Sequence, residues 1–393
     1  MTQPNASFRP VPPSRPSNAE HPAALGSFRS WRRLRRFREE IDPAFRPRAA
    51  FVTATTLLTS PLRAIERLRY GRSIRQTQIH PSPVIIVGHW RSGTTHLHNL
   101  LCQDENLGSL TTFQALAPGF CLIGDGVVKR LIARFAASHY PTRLIDNIPL
   151  DMDAPQEDEF ALANVSEYSF IHAFSFPRQA DRIFDRSVLL EGLSDVERDR
   201  WTRTYLDLLR KTTLATGGKR LLIKNCAHSA RIPLLLKHFP DAKFIHIHRN
   251  PYKVFVSTMH MLRTVYQRAQ LQEVDADLLE SFVLRSYERL MERFRSDRSL
   301  IPEGNILDVR FDDLQASPIG TLQDIYDRLR IPGFDDAKSH LLAYLSSVAG
   351  YRKNPYALDQ DVIEKVNARW SFAFEEMGYE QTLPSEAAVS GAR

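Results

Sequence analysis

One ten-residue segment, Gly88–Leu97, constrains the fold of this chain more than any other. It follows the apolar β-branched run Val84–Val87 and leads into a pattern that predicts a helix from Thr95 to Leu101. A strand, a glycine-bounded loop and a helix N-terminus cradle a phosphate well, because backbone N–H groups and the helix dipole both attract the anion. We therefore expect an anion-binding loop here, and an ordinary glycine turn is the alternative.

The residue types in this loop limit the anion that it can bind. Gly88 and Gly93 have the spacing of a Walker A loop, but Thr94 stands where that motif has its lysine. The Walker lysine binds the β- and γ-phosphates of a nucleoside triphosphate, so its replacement argues against ATP or GTP hydrolysis. The cation is instead Arg91, inside the loop. The loop therefore suits an anion of diphosphate size.

Apolar strands and helical patterns alternate along the rest of the chain, which indicates an α/β fold with a parallel sheet. The predicted strands are Pro83–Val87, Arg220–Lys224, Lys243–His248 and Asn305–Val309, and the predicted helices are Asp195–Thr213, Ser229–His238, Tyr252–Met261, Asp277–Phe294 and Ile319–Arg330. Ligands of such sheets bind beyond the carboxyl ends of the strands. This rule selects the segments Gly88–Thr95, Lys224–His228 and Arg249–Ser257.

The last of these segments predicts a second anion-binding element. Arg249 ends a strand, Pro251 begins a helix near its first position, and Ser257 lies two turns along that helix. A guanidinium can bind a phosphate through two parallel hydrogen bonds, and the serine hydroxyl could donate from the same side. The alternative is that Arg249 pairs with a carboxylate and Ser257 only fills space.

Together these two segments resemble the donor-binding segments of sulfotransferases that use 3′-phosphoadenosine-5′-phosphosulfate (PAPS), bacterial members in particular. Arg91-Ser92-Gly93-Thr94-Thr95 matches the family's 5′-phosphosulfate loop, and Arg249, Pro251 and Ser257 match its 3′-phosphate segment. The resemblance covers roughly residues 79–380. It implies a single P-loop-like α/β domain with a central parallel sheet flanked by helices, PAPS as the donor, and no requirement for a metal.

The resemblance implies transfer of the sulfuryl group to a hydroxyl or amine acceptor by in-line displacement at sulfur. Negative charge grows on the bridging oxygen as its bond to sulfur breaks, so we expect Arg91 and the loop amides to stabilise that oxygen. Two other classes of function stay open. One is a P-loop nucleotide kinase or NTPase, and the other is a non-catalytic nucleotide- or membrane-binding protein.

A general base must also take the acceptor's proton. Cytosolic members of the family have a lysine near the sulfuryl group and a histidine base two residues later, whereas here Lys224 is followed by His228 four residues later. We expect His228 to be the base and rank Glu159 second. A solvated loop or helix start is expected for at least two members of the cluster Glu157–Glu159. Lys353, in a late basic segment, is a further expected contact of the 3′-phosphate.

The net charge of +7 is concentrated at the N-terminal end. Residues 1–78 contain 15 arginines and five acidic residues, which leaves residues 79–393 with a net charge of −3. Trp31, Leu34 and Phe37 alternate with arginines and predict a short helix. We favour packing of this aromatic face on the main domain, and the alternative is contact with anionic lipid or nucleic acid.

These composition shifts predict four segments along the chain. Residues 1–27 are expected to form a disordered tail, 28–78 a basic helical extension, 79–380 the sulfotransferase domain, and 381–393 a flexible tail. No secretory signal, apolar run of membrane-spanning length or disulfide framework is apparent in the sequence. We therefore expect a cytoplasmic protein with no nucleic-acid partner, and peripheral contact at the inner face of the membrane through the Arg-rich helix is the alternative to its packing on the main domain.

The acceptor is expected to be a small or lipid-like hydroxylated molecule. Its pocket is expected to involve residues 113–153, 160–183 and 261–274, which are rich in apolar and aromatic side chains. The aromatic candidates are Phe120, Phe135, Tyr140, Tyr168, Phe170, Phe174, Phe176 and Tyr266. The charge of −3 on the body argues against a sulfated polysaccharide, which would be repelled. The alternative is that these aromatic residues fill the core.

Overall fold

A parallel β-sheet forms the centre of the protein in the computed structural model, which describes residues 21–36, 41–139, 151–348 and 358–382. Its strands are β1 (Val84–Val87), β2 (Leu107–Gly108), β3 (Arg220–Lys224), β4 (Lys243–His248) and β5 (Ile306–Arg310). The strand order is β2-β3-β1-β4-β5, and each neighbouring pair is parallel. The predicted fold class is therefore confirmed.

Helices make up most of the remaining structure. In chain order they are α1 (Phe28–Arg36), α2 (Arg46–Leu58), α3 (Ser60–Gln76), α4 (Thr94–Leu101), α5 (Thr112–Leu116), α6 (Cys121–Gly124), α7 (Val127–His139), α8 (Asp158–Val165), α9 (Ala180–Ser187), α10 (Asp195–Ala215), α11 (Ile232–His238), α12 (Pro251–Ala269), α13 (Ala276–Arg298), α14 (Phe311–Ala316), α15 (Pro318–Leu329), α16 (Phe334–Val348) and α17 (Gln360–Met377). Among the described residues, no helix is both long and apolar enough to cross a membrane.

The central strand β1 is buried on both faces of the sheet. Ile85 and Val87 point into the larger core cluster, with α10, α12, α13 and α17, whereas Val84 and Ile86 point into a second cluster, with α4, α14, α15 and α16. All four side chains are fully buried. Successive side chains of a strand face opposite sides, so helices on both sides explain the unbroken apolar run in the sequence.

The element boundaries agree closely with the sequence pattern, with two differences. The predicted helix Ser229–His238 is a short 3₁₀ turn, Cys226–Ala230, followed by α11. The Asn225 side chain caps this turn by accepting from the amide of Ala227, which favours the tighter turn over a continuous helix. The other difference is α12, which extends eight residues beyond Met261 to Ala269.

Helix α1 packs its apolar face on the body of the protein. Trp31 and Leu34 are 3% and 5% exposed and lie in one cluster with Phe176 and Leu271. The arginines of α1 whose burial is described are exposed or half-buried. Packing of the aromatic face, the interpretation that we favour from the sequence, is thus confirmed for these two residues, and Phe37 lies outside the described residues.

Candidate active site

The loop between β1 and α4 has a backbone conformation that most residues avoid. Gly88, Arg91 and Gly93 have φ angles of +139°, +71° and +100°. A Cβ atom at Gly88 would lie 2.3 Å from the carbonyl oxygen of Ile247, and one at Gly93 would lie 2.2 Å from the Phe311 ring. Glycine is therefore required at both positions, whereas Arg91 adopts the left-handed region at a cost of about 1–2 kcal/mol.

The same loop leaves backbone donors available at the carboxyl end of β1. Ser92 closes the turn by donating its amide to the carbonyl of His89 at 3.2 Å. Within the part of the chain that the structure describes, the amides of Gly93, Thr94 and Thr95 meet no protein acceptor, as is usual in the first turn of a helix. Successive free amides and the α4 dipole together form a site that fits a phosphate or phosphosulfate group.

A direct hydrogen bond joins this loop to α12. Arg91 Nε donates to Ser257 Oγ at 2.9 Å, and Ser257 is buried. The two residues are 166 positions apart in the chain, yet they meet because β1 and β4 are neighbours in the sheet. The structure therefore brings the two predicted anion-binding segments into one site.

Phe311 connects the second cationic side chain to the same loop. The Arg249 guanidinium carbon lies 4.6 Å from the centre of the Phe311 ring, a cation–π contact. The same ring occupies the space that a side chain at Gly93 would need. The sequence analysis missed Phe311, although it is the first residue after β5 and so lies at the ligand-binding edge of the sheet.

Lys224 ends β3 and pairs with a carboxylate that the sequence analysis did not select. Its Nζ donates to Glu157 Oε2 at 2.7 Å, and both side chains are buried. The end of β3 also contacts the loop, because Cys226 Sγ lies 3.7 Å from Thr94 Oγ1. Among the described residues, the other carboxylate oxygen of Glu157 is buried and meets no hydrogen-bond donor.

The acidic cluster Glu157–Glu159 begins a helix, as expected, but it is not solvated. All three side chains are buried, so the expectation of a solvated segment is wrong. Buried charges are tolerated only with partners. The partners here are Lys224 for Glu157, Tyr205 and Asn225 for Asp158, and Arg231 and Asn225 for Glu159.

Glu159, our second candidate for the base, uses both of its oxygens in the core. Arg231 Nη1 donates to Oε2 at 2.9 Å, and the amide of Phe170 donates to Oε1 at 2.8 Å. Burial alone would raise the pKa of Glu159, but the charge and hydrogen bonds of Arg231 outweigh it and lower the pKa to about 2. A carboxylate held this way is a weak proton acceptor, so the geometry does not favour Glu159 as the base.

His228, our first candidate, is fully buried behind the site. Its Nδ1 lies 3.3 Å from Arg231 Nη1 and its Nε2 lies 2.6 Å from Tyr205 Oη. Because a guanidinium only donates, the hydrogen-bond pattern assigns the imidazole proton to Nε2, and Tyr205 donates onward to Asp158 at 2.8 Å. Both ring nitrogens are thus engaged within the core, so the prediction that His228 is the base gains no support from this geometry.

The remaining predicted residues fall into two groups. Lys353 and Tyr140 lie outside the described residues. Six of the aromatic residues expected near the acceptor are buried in core clusters, and Phe135 is 48% exposed on α7. The alternative, that these side chains fill the core, therefore applies to Phe120, Tyr168, Phe170, Phe174, Phe176 and Tyr266.

Two cationic segments at the carboxyl edge of a parallel sheet are typical of an enzyme that binds a phosphorylated nucleotide. Comparison with known sequences makes this class specific. The sulfotransferase family profile matches residues 83–336, and the chain belongs to that family. It is 31% identical over 344 residues to omega-hydroxy-beta-dihydromenaquinone-9 sulfotransferase Stf3 of Mycobacterium bovis and of Mycobacterium tuberculosis, across 88% of this chain and 87% of each relative.

Solved structures have the same fold. Sulfotransferase STF9 from Mycobacterium avium superposes with a TM-score of 0.68 at 19% identity, covering 86% of this chain and 87% of that one. Sulfotransferase STF1 from Mycobacterium tuberculosis gives 0.65 at 21% identity, covering 88% and 92%. Membership of the sulfotransferase family makes the chain an enzyme that transfers a sulfuryl group from PAPS, as the sequence predicts.

We expect Arg249→Ala to weaken donor binding more than it slows turnover, because the 3′-phosphate lies away from the reacting sulfur. Loss of a charge-assisted contact of about 1.5–3 kcal/mol should raise the Kd for adenosine 3′,5′-bisphosphate roughly ten- to hundredfold. Isothermal titration calorimetry measures this change, with Arg203→Ala, an exposed arginine on α10, as the charge-matched control. An unchanged Kd would remove Arg249 from the donor site.

We expect Arg91→Ala to lower kcat mainly, since its charge is needed most when the bridging oxygen becomes negative. By analogy with the loss of one oxyanion donor, kcat should fall on the order of a hundredfold or more. Turnover at saturating donor, measured beside the Kd for adenosine 3′,5′-bisphosphate, separates the two effects. If the Kd rises while turnover at saturating donor stays unchanged, Arg91 only anchors the ground state.

Proposed function

We propose that this sulfotransferase acts on the hydroxyl group of a small or lipid-like acceptor at the cytoplasmic face of a membrane. The observation that supports this acceptor class is the 31% identity to Stf3 over most of both chains. The name of that relative gives an omega-hydroxylated dihydromenaquinone as its acceptor. We propose that the acceptor of this chain is likewise a hydroxyl group on a long apolar molecule.

Different residues at the edge of the sheet bind the 5′-phosphosulfate and the 3′-phosphate of the donor. PAPS, when bound, supplies an activated sulfuryl group on a phosphate leaving group. We assign the 5′-phosphosulfate to the loop, through Arg91, Ser92, Gly93, Thr94 and Thr95, and the 3′-phosphate to Arg249 and Ser257. Two features support this assignment: the loop amides that meet no protein acceptor among the described residues, and the positive φ angles that Gly88 and Gly93 allow in the loop. The Arg91–Ser257 hydrogen bond gives the two subsites a common boundary.

Glu157 is the residue that we propose as the general base, in place of His228 or Glu159. Lys224 holds one carboxylate oxygen of Glu157, and the other has no donor among the described residues. Both carboxylate oxygens of Asp158 and of Glu159 have donors in the core. A base needs a lone pair directed at the acceptor proton, and in the cluster Glu157–Glu159 the unoccupied oxygen belongs to Glu157.

Lys224 has a supporting role in this arrangement. Its ammonium fixes the Glu157 side chain in one orientation and lies at the end of β3, next to the loop contact of Cys226. A positive charge there also offsets the negative charge of the transferring sulfuryl oxygens. We therefore keep Lys224 as a catalytic residue, which orients the base and binds the sulfuryl group.

We expect Glu157→Gln to lower kcat by about 10²–10⁴-fold, because the amide has nearly the same shape but cannot take a proton. The Kd for adenosine 3′,5′-bisphosphate should stay within about twofold, since the donor phosphates are held elsewhere. Single-turnover rates measure the chemical step directly. His228→Gln is the matched control at the other candidate base.

The two variants decide between the candidates. Loss of turnover in His228→Gln, with Glu157→Gln still active and both proteins folded, would restore His228 as the base. Loss of turnover in Glu157→Gln alone supports Glu157 as the general base. Circular dichroism and the midpoint of urea unfolding identify any variant that is merely unfolded.

A direct screen tests the acceptor class. Labelled PAPS is offered with polyprenols, hydroxylated quinones, sterols, phenols, glycolipids and glycosaminoglycans, and the transferred label is counted in each product. We expect transfer to the apolar alcohols. Transfer confined to glycosaminoglycans or to peptide tyrosine would contradict the proposed acceptor.

Peripheral contact with lipid is part of the same proposal. The sequence analysis assigned it to the Arg-rich helix, α1. Because Trp31 and Leu34 of that helix are buried, any contact through α1 would depend on its arginines alone. Stable binding of a helix to a bilayer surface normally needs inserted apolar side chains as well as cations.

A further inference from the structure

We propose that the outward faces of α2, α3 and α7 form a docking surface for an anionic lipid bilayer. This inference rests on the proposed lipid-like acceptor, and it names the surface through which the enzyme would reach it. We call it the α2–α3–α7 face. Its apolar members are Leu57, Leu58, Ile65, Leu68, Val127, Leu131 and Phe135.

Exposed apolar side chains are concentrated on these three helices. Seven of the twelve large hydrophobic side chains that are exposed in the described residues belong to it, with Leu68 and Leu58 the most exposed at 87% and 77%. On α3, Ile65 and Leu68 are three positions apart, and on α7, Val127 and Leu131 are four apart. These spacings put each pair on one side of its helix.

Helices α3 and α7, which carry most of these side chains, contact the same core cluster through their inward faces. Leu62 of α3 and Ile132 of α7 pack against the same small core cluster, which includes Phe113 and Phe120. Glu66 of α3 accepts from the amides of Leu122 and Ile123 in α6, at 2.6 and 3.2 Å, and α6 leads directly into α7. The inward faces are therefore used by the protein core, while the seven apolar side chains named above stay exposed.

The charged side chains within the three helices are almost all positive, although the exposed carboxylates of Asp125 and Asp153 beside α7 pair with Lys129. Glu66 is the single acidic residue within α2, α3 and α7, and it is buried against Lys211. The exposed arginines of the three helices are Arg46, Arg67, Arg69, Arg72, Arg75, Arg130 and Arg134. Apolar side chains flanked by arginines complement a bilayer with anionic headgroups, where the arginines remain at the surface and the leucines enter the acyl boundary.

The distribution of charge along the chain also favours docking through the α2–α3–α7 face. Residues 79–393 have a net charge of −3, whereas residues 1–78, which include α2 and α3, have 15 arginines and five acidic residues. A negatively charged surface therefore attracts α2 and α3 more strongly than it attracts the rest of the chain. Nucleic acid would also attract the arginines, but it offers no apolar phase for the exposed leucines.

This face is also connected to the segment that carries Glu157. Lys129 of α7 forms an ion pair with Asp153, four residues before Glu157. An isolated β-bridge between Thr111 and Pro155 holds the intervening segment against the start of α5. Docking through α7 would thus bring the bilayer to the part of the molecule next to the proposed base.

Vesicle flotation of the full chain tests the proposal without donor or acceptor. The variant replaces Leu58, Leu68 and Leu131 by serine, and the matched control replaces Val196, Leu300 and Leu342 by serine at comparable exposure elsewhere. The vesicles are phosphatidylcholine alone, or phosphatidylcholine and phosphatidylglycerol in equal parts. We expect binding to the anionic vesicles that falls at least about tenfold in the variant and stays unchanged in the control.

Three outcomes would overturn the docking surface. These are equal binding of variant and parent, equal loss in the control, or equal binding to neutral and anionic vesicles. A parent that does not bind vesicles but forms a dimer, which the variant loses in light scattering, would show that a second copy covers this face. Because the assay contains no acceptor, its result is independent of the acceptor screen, so the failure of one proposal is distinguishable from the failure of the other.

Discussion

The pairing of β1 between β3 and β4 is the constraint on which the site depends. Ile86 is in register with Lys224 on one side, and Val87 is in register with His246 on the other. Because the three strands run in the same direction, their following segments begin at one edge, and Arg91 can reach Ser257 across 166 residues of chain. The four fully buried side chains of β1 fix this register, since a shift by one residue would exchange the two faces of the strand.

A buried polar network behind that edge gives the site a rigid support. Arg231 pairs with Glu159 with both side chains fully buried, and Tyr205 bridges Asp158 and His228. Such groups are costly to bury, and removing one partner would leave an unpaired charge in the core. The network therefore has little freedom to rearrange. By binding the two acidic residues that follow Glu157, it fixes the start of α8, where one carboxylate oxygen of Glu157 has no donor among the described residues.

Sequence patterns predicted β1, β3 and β4 well because these strands are buried on both faces, and an unbroken apolar run marks such a strand without reference to distant residues. Strand β2 was missed because two residues, Leu107 and Gly108, are too few to form a pattern. The role of each acidic residue could not be predicted in the same way. Glu157 and Glu159 are two positions apart, and their difference arises from partners some 70 residues later, Lys224 and Arg231. Spacing along the chain does not reveal which partner each one meets.

A count of charges along the sequence has the same limitation, as the arginines of the N-terminal extension show. Arg48 is fully buried and donates to the main-chain oxygens of Gln270 and Gln267, so it anchors α2 to the end of α12. Arg69 and Arg72, on the next helix, are exposed and form no ion pair within the described residues. A count of charges gives these three residues equal weight, yet the first has exchanged water for carbonyl oxygens and only the others can attract an anionic surface. The structure thus divides one arginine-rich segment into a part that holds the extension on the protein and a part that is free to act on what lies outside it.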